Sequence, residues 1–180
     1  MKTSFVFSGS GGQGIMSAGI TLAHAAIDMG KYATYLPEYG PEQRGGSAKC
    51  TVVISNEPII SPLPKKCDNL IVLNEVAYRK FAEDVKEGGL VVANSGRIKD
   101  NLDRTDAKVI ASPVEDIALS LGSEKCANII LLGILAGATG VVSRDILVES
   151  LEAKFASKKP GILEMNIKAL DEGIRIGKGI

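Results

Sequence analysis

Short apolar runs alternate with stretches of helical periodicity over the first part of the chain, and beyond Ser112-Pro113 the periodicity is helical throughout. Ser4-Phe5-Val6-Phe7-Ser8 predicts a strand that ends in Gly9-Ser10-Gly11-Gly12-Gln13-Gly14. Ile15, Ala18, Ile20, Leu22, Ala25, Ala26 and Met29 then recur at helical spacing, and Gly30 supplies a stop. A second strand is expected over Tyr32 to Leu36, giving a strand–helix–strand unit whose two strands are parallel. Residues 37–47 are rich in turn formers and charge and read as a loop. The β-branched run Cys50 to Ser55 is a strand, closed by a turn at Asn56-Glu57-Pro58.

Further strands are predicted at Asn69 to Leu73, Leu90 to Ala93 and Lys108 to Ala111, with a helix from Glu75 to Val85 between the first two. Helices follow at Val114 to Leu121, Ala127 to Ala138, Ser143 to Phe155 and Ile162 to Ile176. This order specifies an α/β fold: a Rossmann-like three-layer sandwich with a mostly parallel sheet and a helical C-terminal portion. The chain shows no repeat and no linker, so residues 1–180 are read as one domain. The helix around Ile129 to Ala138 carries Gly133 and Gly137 at a spacing also used in membrane helices, but its length suits a buried core helix.

Charge narrows the function. Lys plus Arg (21) equal Asp plus Glu (21), which leaves no electrostatic footprint for nucleic acid or a membrane surface. The first apolar run is too short for a signal segment, so the expected location is cytoplasmic. Cys50, Cys67 and Cys126 are widely separated, and His24 is the only histidine, a pattern that argues against a metal or iron–sulfur site on this chain. Isolated thiols of this kind read as small buried hydrophobes. His24 lies within a helix without an acid–base partner, and Ser8, Ser10 and Ser17 do not form a nucleophile elbow.

The chemistry concentrates in two segments. Gly9-x-Gly11-x-x-Gly14 between strand and helix has the spacing that lets backbone N–H groups and a helix N-terminus approach a phosphate. Glu38, at the end of the second predicted strand, stands where a dinucleotide site would place a ribose ligand, so a Rossmann-type NAD module stays open. The same glycines would also serve close helix–strand packing with no ligand. In the loop, Arg44 offers a forked cation for a phosphate or carboxylate.

Both segments resemble one family. Gly9-Ser10-Gly11-Gly12-Gln13-Gly14 is similar to the G-x-G-G-Q-G turn, and Glu38-Tyr39-Gly40-Pro41-Glu42-Gln43-Arg44-Gly45-Gly46 to the (S/E)-Y-G-P-E-x-R-G-G loop, of the gamma subunits of 2-oxoacid:ferredoxin oxidoreductases. Asn128 with Leu132-Gly133 resembles the family's helical N-x-x-x-L-G segment. The resemblance covers most of the chain. It implies a subunit of an assembly that oxidatively decarboxylates a 2-oxoacid with coenzyme A, releasing acyl-CoA and CO2 and passing electrons to ferredoxin. Thiamine diphosphate and iron–sulfur clusters would belong to the alpha, beta and ferredoxin-like delta subunits, with no cofactor held by this chain alone and no catalytic residue on it.

By the same resemblance, Gly11, Gly12, Gln13, Gly14 and Arg44 would face coenzyme A. Glu38, Tyr39, Gly40, Pro41, Glu42, Gly45, Gly46 and Asn128 would shape the site or the subunit contact. Ser47-Ala48-Lys49-Cys50 after the loop leans toward 2-oxoglutarate or branched-chain substrates over pyruvate. Partner-facing apolar surface, left uncovered, would let the isolated chain pair with itself.

Overall fold

The computed structural model describes residues 2–40, 46–158 and 160–179. Strands β1 (Lys2–Ser10), β2 (Tyr32–Tyr39), β3 (Ser47–Ser55), β4 (Cys67–Val72), β5 (Val85–Asn94) and β6 (Lys108–Ser112) form one sheet in the order β2-β3-β1-β4-β5-β6. The helices are α1 (Ile15–Asp28), α2 (Glu75–Phe81), α3 (Val114–Ser120), α4 (Ala127–Thr139), α5 (Arg144–Phe155) and α6 (Pro160–Lys178). β1, β4, β5 and β6 pair parallel, whereas β3 runs against both β1 and β2.

Side-chain alternation along the central strands divides the core between two faces. Phe5, Phe7, Ile71 and Val92 pack beneath α1, α4 and the helices outside them, while Val6, Leu70, Val72 and Val91 pack toward α2 and the 98–107 segment. The predicted three-layer α/β architecture is therefore present, with a much thicker helical layer on one side.

Three details differ from the pattern read along the chain. Pro37, Glu38, Tyr39 and Ser47, read as loop, are strand residues of β2 and β3, which pair with each other to their ends. β2 runs in the direction of β1 but is not its neighbour, because β3 lies between them. Residues 40–46 are too short for a crossover, so β2 and β3 form an antiparallel pair. β3, buried along Cys50 to Ser55, takes the interior position; β2, with Pro37 and an exposed C-terminal half, takes the edge. The predicted helix 75–85 also stops early. α2 ends at Phe81, a 3-10 turn spans Ala82–Asp84, and the buried Val85 opens β5 opposite Cys67.

The apolar helix α4 is a core helix: Ala127 to Ala136 are all buried. Among the described residues no helix is long and apolar enough to cross a membrane. Gly133 and Gly137 of α4 face Gly173 and Gly177 of α6, so the two backbones meet without intervening side chains. A methyl group at Gly133 would strike the Leu170 carbonyl and lie 3.0 Å from Gly173 Cα. One at Gly173 would strike the Ile130 carbonyl.

All three cysteines are buried and unpaired. Burial, with the Glu38 carboxylate adding to it, pushes the Cys50 thiol up to about 12, which removes its nucleophilic form at neutral pH. His24 is exposed on α1.

Candidate functional site

The C-terminal ends of β1, β2, β4, β5 and β6 share one edge of the sheet, the edge where open α/β folds bind ligands. The glycine turn leaves β1 there and enters α1. Gly12 (φ 99°) and Gly14 (φ 78°) adopt the left-handed conformations that glycine tolerates. Gly14 occupies the N-cap of α1 with no side-chain cap, and the first turn carries no acidic residue. The first-turn N–H groups, which have no intrahelical acceptor, are thus available to an anion.

Polar side chains from three elements fix the turn. Gln13 Oε1 folds back to accept from Ser10 N–H at 2.7 Å and from Asn74 Nδ2 at 3.1 Å. Asn74 Nδ2 also reaches Ser10 Oγ at 3.0 Å, while its Oδ1 caps α2 by accepting from Ala77 N–H at 2.9 Å. On the other side, the buried Asn128 of α4 donates from Nδ2 to the Gly14 carbonyl at 3.2 Å. Its amide lies against Gly14 Cα, where a methyl group would come within 2.7 Å of Nδ2.

Asn74→Ala removes a helix cap and the bridge to the turn together. We expect a loss of about 1–2 kcal/mol by chemical denaturation, with faster amide exchange at residues 10–14. Asn74→Asp keeps the cap acceptor but loses the donor, so it should recover stability and leave the exchange at 10–14 fast.

Two adjoining clefts open beside this turn. The first, of about 440 Å³, is lined by Gly12, Gln13, Gly14, Ser17, Lys125 and Asn128, with Glu124 and the Arg97-paired Glu115 also on its wall. The second, of about 530 Å³, shares Ser17, Lys125 and Asn128 and continues between α4, α5 and α6. The loop after β2 is anchored at the same edge. Gly40 N–H donates to Ser47 O at 2.8 Å, and Gly11 N–H donates to Gly46 O at 2.9 Å, tying the foot of the loop to the glycine turn.

The sequence profile of the pyruvate ferredoxin/flavodoxin oxidoreductase family matches residues 4–176. The chain belongs to this family. It is 37% identical over 182 residues to 2-oxoglutarate synthase subunit KorC of Methanocaldococcus jannaschii, covering 99% of this chain and 95% of KorC. It is 36% identical over 168 residues to ketoisovalerate oxidoreductase subunit VorA of Methanothermobacter thermautotrophicus, covering 92% of this chain but only 34% of VorA. The chain thus spans about a third of the length of that relative. Among solved structures, the gamma subunit of a keto/oxoacid ferredoxin oxidoreductase from Geobacter sulfurreducens superposes with a TM-score of 0.83 at 34% identity, covering 99% of both chains. The 2-oxoglutarate:ferredoxin oxidoreductase of Magnetococcus marinus, solved with 2-oxoglutarate, coenzyme A and succinyl-CoA bound, gives 0.91 at 25% identity, covering 99% of this chain and 31% of that one.

In this oxidoreductase-family chain, the structure brings together Gly11, Gly12, Gln13, Gly14, Asn128 and Gly46 of the expected site. Glu38 pairs with Lys49 at 2.7 Å, and Tyr39 is exposed at the strand end beside Gly40. With β3 interposed, Glu38 stands two strand spacings, roughly 10 Å, from β1, which removes it from a dinucleotide ribose position. Pro41, Glu42, Arg44 and Gly45 lie outside the described residues. Asn74 was not singled out in the sequence, although Asn74-Glu75 after an apolar run is a recognisable helix-start signal. Lys125 and Lys154 carry no local motif at all.

Proposed function

We propose that this chain is the gamma subunit of a 2-oxoacid:ferredoxin oxidoreductase, with residues 1–180 forming its single domain. The assembly oxidatively decarboxylates a 2-oxoacid in the presence of coenzyme A, yields acyl-CoA and CO2, and delivers electrons to ferredoxin. The observation that carries this reading is the near end-to-end match, at more than a third identity, to KorC of Methanocaldococcus jannaschii. Partner subunits of alpha, beta and ferredoxin-like delta type supply thiamine diphosphate and the iron–sulfur clusters in a cytoplasmic complex. This chain supplies orientation and electrostatics around chemistry that a cofactor performs.

Within that division, the glycine turn is read as the seat of the coenzyme A diphosphate. Left-handed Gly12 and Gly14 expose the turn, the uncapped start of α1 contributes aligned N–H groups, and Asn128 and Asn74 hold the arrangement from both sides. Arg44, from the loop whose foot is tied to Gly11, adds a cation for the same anion. Glu38, Tyr39, Gly40, Pro41, Glu42, Gly45 and Gly46 shape the loop that meets the partner chains.

The test is reconstitution with the partner chains and an assay of coenzyme A-dependent 2-oxoacid oxidation with a viologen acceptor. 2-Oxoglutarate or a branched-chain 2-oxoacid should outperform pyruvate. Arg44→Ala should raise the coenzyme A concentration needed for half-maximal rate by about tenfold, the scale of one charge-assisted contact. An isolated chain that binds NAD tightly and recruits no partner would sink the assignment.

A further inference from the structure

The face of the sheet opposite α1 carries a small cleft that neither the glycine turn nor the loop after β2 accounts for. Val6 of β1, Thr51 of β3 and Cys67 of β4 are its buried floor, and Phe81, Leu63, Lys49, Lys65 and Asp84 complete the wall. Val6 pairs with Thr51 across the two strands, which puts both side chains on this face. The volume is about 110 Å³, room for about four water-sized groups.

Two hydroxyls on this face lack partners. Thr51 is 2% exposed and lines the cleft, and its hydroxyl bonds to no other described residue. Thr34 Oγ1, on the neighbouring β2 opposite Val53, is buried without a partner as well. Leaving such a group unpaired is costly, and in native structures water, an ion or a ligand commonly accounts for it. Of the two, only Thr51 is among the lining residues.

Charge selects the occupant. Lys49 and Lys65 outnumber Asp84, the single carboxylate of the lining. Glu38 engages Lys49 at 2.7 Å, whereas Lys65 enters no ion pair among the described residues. Lys80 adds a further cation, its Nζ 5.2 Å from the centroid of the Phe81 ring. Burial pushes the Cys67 thiol up to about 11, so it stays neutral and adds no negative charge. The cleft therefore offers an anion one hydroxyl and one uncommitted ammonium beside apolar walls, in a space too small for a nucleotide. Asp84 disfavours a dianion there.

We propose that this cleft binds a small monocarboxylate of acetate size, whose carboxylate accepts from the Thr51 hydroxyl and the Lys65 ammonium while its alkyl end rests on Val6 and Phe81. The site lies across the sheet from α1, so the inference stands apart from the coenzyme A reading of the glycine turn.

Titration of the full chain with sodium acetate, followed by proton–nitrogen correlation spectra at constant ionic strength, tests it. Sodium chloride and sodium phosphate are the comparison titrants. Acetate should give saturable shifts at Val6, Thr51 and Cys67 with a dissociation constant on the order of millimolar, the affinity open to a ligand of about four heavy atoms. Thr51→Val removes the hydroxyl at nearly constant shape and should weaken acetate by about fivefold without lowering the urea midpoint, because no bond within the chain is lost. Lys65→Ala should weaken it by about tenfold and Lys65→Arg should restore it; Lys65 is exposed, so the fold persists in both. Asp84→Asn should tighten it. Shifts that rise linearly with acetate, shifts that chloride reproduces, or an affinity unchanged in both Thr51→Val and Lys65→Ala overturn the site. Saturation by phosphate at the same residues with equal or higher affinity overturns the carboxylate assignment.

Discussion

Gly173→Leu should abolish the native packing of α6 on α4. In the α4–α6 seam the two helices touch through backbone, and a β-carbon at Gly173 already meets the Ile130 carbonyl and comes within 2.9 Å of Gly133 Cα. Backbone cannot rotate aside as a side chain can, so the helices must separate. Separation would strip contacts from Ile130, Ile134 and Leu170, which are fully buried. Overpacking of a tight core costs about 1–3 kcal/mol for small additions, and Gly173→Ala belongs at that level. Its melting temperature should fall by about 2–4 °C for each kcal/mol, whereas the Leu variant should be recovered mostly insoluble or partly unfolded. Gly161→Ala is the internal comparison, because a methyl group there meets nothing within 4 Å. It should be neutral or slightly stabilising, since alanine is the better helix former. If thermal and urea unfolding showed Gly173→Ala and Gly161→Ala to be equivalent, the close seam would be wrong.

Gly14→Ala should be the most damaging single change at the ligand edge. Two separable penalties combine there. The left-handed backbone at φ 78° costs an L-residue about 1–2 kcal/mol, and the new methyl group would press on the Asn128 side chain at 2.7–2.8 Å. Gly12→Ala isolates the first penalty, because Gly12 is also left-handed but its neighbourhood is open within 4 Å. The expected order of stability by chemical denaturation is therefore the unmodified chain, then Gly12→Ala, then Gly14→Ala. Trimming Asn128 to Ala should relieve part of the second penalty. A double-mutant cycle between Gly14→Ala and Asn128→Ala should then show a coupling of about 1 kcal/mol, while one between Gly12→Ala and Asn128→Ala should show almost none. Equal damage at Gly12 and Gly14 would reject the contact with Asn128. In the assembled enzyme, Gly14→Ala should also weaken coenzyme A if the turn seats its diphosphate as proposed, because it alters the backbone that presents the N–H groups.

These two expectations draw on different depths of the sequence. The left-handed glycines could be anticipated from Gly9-x-Gly11-x-x-Gly14 between strand and helix, since that spacing serves a tight turn at a helix start. The seam could not. Gly133-x-x-x-Gly137 and Gly173-x-x-x-Gly177 are visible as separate stripes, but only packing shows that one stripe faces the other. The same distinction holds at the site. Asn128 was legible through its family segment, whereas Asn74 became part of the site because β4 delivers it beside Ser10 and Gln13.

The sequence alone determined the identity and order of the strands and helices, the glycine turn, the family and the buried character of the central strands. Each depends on local periodicity or on a contiguous motif. Tertiary structure decided which strands are neighbours. β3 inserts between β1 and β2 because a hairpin-length loop forces it antiparallel to β2 and because its apolar run must be covered on both faces, while Pro37 and exposed residues suit β2 to the edge. That insertion carries Glu38 away from the glycine turn. Packing of α5 and α6 against α1 and α4 likewise gathers Lys125, Lys154 and Lys158 from positions up to 33 residues apart. Charges so distant along the chain become a site only when helices bring them to one cleft, and no local pattern in the sequence encodes that meeting.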